Sequence, residues 1–146
     1  MDRPQAAKQD TAEDFITMIF LDTSAAIFLL RGELPDPALH SETLAISTVV
    51  EMELTLGVLH GGKQKEALKV KSFLKDVRIY AFDRAAARST AEVLAKLWKC
   101  GEPIGDFDTQ IAGHALSLSL PVLTDNTKHF RRVDGLEVLS WSSGLT

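Results

Sequence analysis

A strand-like pattern recurs five times along the chain, and segments with helical spacing separate most of the occurrences. The strand candidates are Ile19-Phe20-Leu21, Leu44-Ala45-Ile46, the alternating run from Val77 to Phe82, Pro121-Val122-Leu123 and Glu137-Val138-Leu139. Strands this short and apolar, joined through helices, are buried on both faces and run parallel, because each crossover helix returns the chain to the same end of the sheet. The pattern therefore predicts a three-layer α/β/α domain around a central, mainly parallel sheet. A length of 146 residues with 45% apolar content is enough for one such domain and its core.

The helices announce themselves by caps and stops. Ser24 is the expected cap of a helix from Ala25 to Arg31, ended by Gly32 and Pro35. Thr48-Val49-Val50-Glu51 has the form of a capping box and opens a helix to about His60, broken by Gly61-Gly62. A lysine-rich helix follows from Lys63 to Leu74, with Leu68 and Phe73 as apolar anchors. From Ala85 to Lys99 the residues Ala91, Leu94, Ala95 and Trp98 repeat at helical spacing, and Gly101 supplies a stop. Asp106 is the expected cap of a further helix with Ile111, Ala112, Ala115 and Leu116 inward. Residues 1–17 read as a flexible arm, 18–141 as the folded domain and 142–146 as a tail, with Met18 a candidate start of translation. No run approaches the roughly 18 apolar residues of a membrane span, and the polar beginning is unlike a secretory signal. Cys100 is the only cysteine, so no intramolecular disulfide forms, in keeping with a cytoplasmic location.

Ligands of open parallel sheets bind at the carboxyl ends of the strands. Asp22 and Asp125 stand at such ends, and Asp108 falls in the first turn of a helix, where the helix dipole favours a carboxylate. Glu53 lies within the helix that opens at Thr48. Glu51 is two positions away, roughly 200° around the helix, so the two glutamates cannot address one site. Converging carboxylates repel unless a cation joins them, and Mg²⁺ or Mn²⁺, which take oxygen ligands, suit that task and phosphodiester chemistry. The net charge of −4 argues against a general polyanion binder. Basic side chains are nevertheless concentrated in Lys63, Lys65, Lys69, Lys71, Lys75 and Arg78, and again in Lys128, His129, Arg131 and Arg132, which would give an acidic pocket flanked by basic ridges.

Other chemistries lack their residues. Gly57 through Gly62-Lys63 has the spacing of a phosphate-binding loop, but Gln64 replaces the Mg²⁺-binding hydroxyl and the segment leaves a helix rather than a strand. There is no nucleophile elbow, and Cys100 has no identifiable base. His40, His60, His114 and His129 show no zinc spacing and read as surface or satisfied histidines.

Three blocks of the chain together resemble the PIN-domain nucleases and, within them, the toxins of VapBC-type toxin–antitoxin pairs. They are Met18-Ile-Phe-Leu-Asp22-Thr-Ser24, then Ile46-Ser47 through Glu53-Leu54 to Gly57, then Ile104-Gly105 to Asp108 with Ile111-Ala112. The likeness continues through Leu120 to Thr124, Asn126 and Phe130 to Gly135-Leu136 and Trp141. It implies a Mg²⁺- or Mn²⁺-dependent endoribonuclease that inhibits translation until a cognate antitoxin covers its site, and it implies a homodimer. It implies Asp22, Glu53 and Asp108 as catalytic metal ligands, with a fourth contribution from Asn126 or Asp125. By the same likeness Ser24, Ser47 and Thr124 are second-layer or phosphate contacts. From the two basic clusters, Lys63, Lys69, Lys71, Arg131 and Arg132 are candidates for contacting RNA. The neutral Asn126 leaves open a catalytically silent module that binds RNA or a partner without cutting.

Overall fold

The structure, a computed structural model, describes residues 18–33 and 43–140. The expected arm and tail, Pro35, His40 and Trp141 lie outside the described residues. Five strands, β1 (Ile19–Leu21), β2 (Leu44–Ser47), β3 (Arg78–Tyr80), β4 (Val122–Leu123) and β5 (Val138–Leu139), form one sheet in the order β3-β2-β1-β4-β5. Every pairing is parallel, with Phe20 opposite both Ala45 and Val122. Phe20, Leu21, Leu44, Ala45, Ile46, Val122 and Leu123 are all at 0% exposure, so successive residues on both faces of the central strands are covered.

Among the described residues six helices link the strands: α1 (Thr23–Leu30), α2 (Thr48–Gly61), α3 (Gln64–Asp76), α4 (Arg84–Cys100), α5 (Asp106–Leu118) and the single turn α6 (Thr127–Phe130). The chain runs β1, β2, β3 toward one edge and then crosses back to β4 and β5. Right-handed crossovers in opposite directions place α1 to α3 on one face and α4 to α6 on the other. α1, α2 and α3 pack against one another, α4 packs along α5, and α2 also meets α5. The reversal falls between β1 and β4, the position at whose carboxyl edge open α/β sheets bind their ligands.

Several local expectations are corrected. Asp22, not Ser24, caps α1, because the residue that leaves β1 is still extended and its carboxylate reaches the N–H of Ala25. For the same reason Ser47 at the end of β2 caps α2 by accepting from Val49, and Thr48 is already helical. Asp106 is the first residue of α5 rather than its cap, which is Gly105. The apolar stripe read along α4 is out of phase: Ala86, Thr90, Val93 and Leu97 are buried, whereas Trp98 is 69% exposed. Leu68 is likewise exposed on α3, and Val70, Phe73 and Leu74 pack toward the core instead. The inward face of α5 is as expected at Ile111, Ala112 and Ala115, with Leu116 packed beside them. Gly101 ends α4 in the left-handed region at φ 66°, where a side chain is strained. Among the described residues no helix is long and apolar enough to cross a membrane.

Candidate active site

Asp22 closes β1 at the sheet's rim with only 2% of its surface exposed. Its Oδ1 accepts from the Ala25 N–H at 2.9 Å and from Ser24 Oγ at 2.7 Å, and its Oδ2 accepts from the hydroxyl of Thr124 at the end of β4. Those donors favour the anion. Burial outweighs them and, with the nearby charge of Asp108, pushes the carboxyl up to about 6.

Glu53 is brought to the same rim by α2 and is half-buried. The hydroxyl of Thr23, the neighbour of Asp22, donates to its Oε1. Burial raises its pKa, and Asp108 adds to the rise. Asp108 sits in the first turn of α5, where burial raises it too, opposed by a hydrogen bond from Asn126 and by the proximity of His129. Asp108 is thus the common neighbour, acting electrostatically on both Asp22 and Glu53. Residue 22 directly follows β1, 53 lies in α2 and 108 in α5, so separate parts of the chain supply the three acids.

As placed, no three His, Cys, Asp or Glu side chains among the described residues surround one ion directly. Each acid is turned instead to a protein donor: Asp22 to hydroxyls and a backbone N–H, Glu53 to Thr23, Asp108 to Asn126. An all-oxygen set of this kind, half-buried and mutually repelling, fits a hard divalent cation. Mg²⁺ is usually held by one or two carboxylates and keeps several of its waters, so direct contact with all three is not required.

The remaining expected site residues separate clearly. Asn126 stands at the acids, with Nδ2 at 3.3 Å from Asp108 Oδ2, while the Asp125 side chain is exposed and its backbone N–H donates to Ser24 Oγ. Ser24 and Thr124 lie directly behind Asp22. Ser47 does not reach the rim surface: it is at 0% exposure, and its Oγ is shared by the Val49 N–H and His114 Nδ1. His114 is a satisfied core histidine set edge-on to Phe20 and Phe82, and burial lowers its pKa. Lys69 lines an apolar groove that also reaches Glu53. Lys63, Lys71 and Arg131 are exposed, whereas the guanidinium of Arg132 donates to the Pro103 carbonyl at 2.9 Å and so braces the loop before α5. Sequence reasoning missed Thr23 and His129 at this site. The only signals for them are adjacency to Asp22 and a spacing of three from Asn126.

A family model described as PIN domain matches residues 19–136. The tRNA(fMet)-specific endonuclease VapC of Shigella flexneri is 36% identical over 130 residues, covering 84% of this chain and 96% of that protein. Ribonuclease VapC1 of Rickettsia felis is 32% identical over 130 residues, covering 86% and 97%. The structure superposes on the crystal structure of DNA-bound VapBC from Salmonella typhimurium with a TM-score of 0.75 at 29% identity, covering 85% of this chain and 98% of the other.

Proposed function

The chain belongs to the PIN-domain family, in its VapC branch, and from that premise we propose that it is a Mg²⁺- or Mn²⁺-dependent endoribonuclease, a toxin that inhibits translation and is silenced by a cognate antitoxin. The observation that supports this reading is the linkage of three acids from separate parts of the chain: Thr23, next to Asp22, donates to Glu53, while Asn126 donates through its amide to Asp108 and through its backbone N–H to the Thr124 hydroxyl that bonds Asp22. The name of the Shigella flexneri relative makes initiator tRNA the first substrate to test.

In this reading Asp22 is the anchor. Buried and fixed by three donors, it presents a carboxylate that is ionised at neutral pH, since its pKa of about 6 lies below 7. Asp108 and Glu53 are the more exposed partners that complete the oxygen set toward the substrate side. The bound divalent ion supplies Lewis-acid polarisation of the phosphodiester and an activated water. Thr23 and Asn126 each hold an acid in place by a hydrogen bond, Thr23 donating to Glu53 and Asn126 to Asp108. An apolar groove between α1, α2 and α3, lined by Ile27, Leu30, Leu54, Val58 and Val70, reaches Glu53 and offers an antitoxin segment a seat beside the acids.

The test is cleavage of purified initiator tRNA and of bulk RNA by the full chain with Mg²⁺, with Mn²⁺ or with chelator. Cleavage is expected only with metal, and Glu53→Gln is expected to slow it on the order of 100-fold or more. RNA that stays intact with either metal while binding persists would establish the silent module instead. Lys69, on the groove that reaches Glu53, is read as a contact to the RNA backbone. Lys69→Glu is then expected to weaken RNA binding and to reduce the slope of log affinity against log salt by about 0.7, the share of one phosphate contact on a single strand. A slope unchanged by the substitution would remove Lys69 from the interface.

A further inference from the structure

Asn126 makes two hydrogen bonds through the same atom. Its Nδ2 is 3.3 Å from Asp108 Oδ2 and 2.8 Å from His129 Nδ1. An ionised carboxylate only accepts, so the amide atom facing it must be the nitrogen rather than the oxygen. That nitrogen carries two hydrogens. With one directed at Asp108, the other meets His129 Nδ1, which accepts it when the imidazole is neutral and carries its proton on Nε2. The reverse tautomer would set donor against donor. Its only relief is to rotate the amide, which would turn the Asn126 carbonyl oxygen toward the Asp108 carboxylate.

The backbone makes this pair a unit. Asn126 caps the single turn α6, and His129 stands three residues on, its N–H bonded back to the Asn126 carbonyl. Phe130, at 0% exposure, pins the turn to the core. The Asn126 N–H donates to Thr124 Oγ1, whose hydroxyl in turn donates to Asp22. Asn126 therefore ties Asp22 to Asp108, by its backbone on one side and its amide on the other, and the orientation of that amide is set by one imidazole nitrogen.

We propose that His129 is a positioning residue of the acidic site: by accepting from Asn126 through Nδ1 it fixes the amide that holds Asp108 for the cation. Asn126 accordingly clamps a ligand and does not itself ligate through the atom that faces Asp108. The inference rests on the metal-site reading above.

Two measurements on the full chain test it. The first is Mn²⁺ affinity, followed by electron paramagnetic resonance, for the wild-type chain, His129→Leu, His129→Asn and Asp22→Asn. Loss of a residue that orients a metal ligand costs about 10- to 100-fold in affinity, so His129→Leu is expected to bind Mn²⁺ about tenfold more weakly. The asparagine variant places an acceptor oxygen where Nδ1 stood and is expected to recover most of that loss. The second is long-range ¹H–¹⁵N correlation on the metal-free protein, which is expected to report an unprotonated Nδ1 and a protonated Nε2 at His129. Wild-type affinity in His129→Leu, with affinity lost in Asp22→Asn, would overturn the positioning role and leave the metal site standing. A failure of His129→Asn to recover affinity, or a proton on Nδ1, would also overturn it. Undiminished Mn²⁺ binding by Asp22→Asn would bring down the metal site itself, and the role of His129 with it.

Discussion

Asp22→Asn is expected to abolish metal-supported RNA cleavage, by about 1000-fold or more, and at the same time to make the metal-free protein more stable. The two effects share one cause. Burial lifts the Asp22 carboxyl from 3.8 to about 6 in the folded chain, so the folded state holds its proton more tightly than the unfolded one. For an acid whose pKa is raised by folding, the associated stability is complete below about pH 4 and is lost as pH rises through about 6. Above pH 7 the metal-free chain then carries a penalty on the order of 3 kcal/mol for keeping that charge buried. Asparagine removes the charge and keeps the shape. Its oxygen still accepts from Ala25, and its amide can donate to the Thr124 hydroxyl in place of the bond that Thr124 now gives. In chelator at pH 7.5 the variant should melt roughly 5–10 °C above wild type, and the gap should close toward pH 4. Added Mg²⁺ should raise the melting temperature of the wild type and leave that of the variant where it was. A wild-type melting temperature that does not fall between pH 4 and 7 in chelator, or a variant that melts below it at pH 7.5, would contradict the account.

What the sequence revealed of this site and what it concealed divide along a physical line. Asp22 was legible because an apolar triplet that must be buried ends at it, and Asp108 because a carboxylate in a first helical turn is locally favoured. Gly101 was legible as a stop because a left-handed residue is required there. The caps were ambiguous by one or two positions. Asp22 and Ser24, or Ser47 and Thr48, are all able to cap, and the choice is made by where the strand ends, which is a property of the sheet. The phase of α4 was hidden for another reason. Alanine packs or faces solvent with little difference in free energy, so Ala91 and Ala95 carried no direction, while the hydroxyl of buried Thr90 is satisfied by the Ala86 carbonyl at 2.7 Å and leaves only a methyl group to pack. Contacts such as Thr23 to Glu53 and Ser47 to His114 join residues 30 and 67 positions apart. Nothing local to either member records such a pair; it follows only from the order of the strands.

The same helix pair sets up the largest expected loss of stability, at Gly113→Ala. In a helix interior this change normally stabilises, since alanine is favoured over glycine by about 1 kcal/mol. Here a Cβ on Gly113 would lie 2.2 Å from Thr90 Oγ1, 2.5 Å from Thr90 Cα and 2.7 Å from Thr90 N. The first contact could be relieved by a rotamer change. The other two are with the backbone of α4, and they can be relieved only by moving one helix off the other. Overpacking of a close-packed interior costs about 1–3 kcal/mol and more where backbone must shift, so the clash outweighs propensity, and the melting temperature should fall by roughly 5–10 °C. Because α5 carries Asp108 at its first turn, separation from α4 should also displace that acid and reduce cleavage in whatever fraction stays folded. Pairing the substitution with Thr90→Ala separates the causes. If the hydroxyl were the obstacle, the double variant would recover; with Cα and N still in the way, it is expected to stay destabilised. A single variant that melts at or above the wild-type temperature would show that α4 and α5 do not approach as closely as Gly113 and Thr90 indicate, and that the helix propensity term governs this position after all.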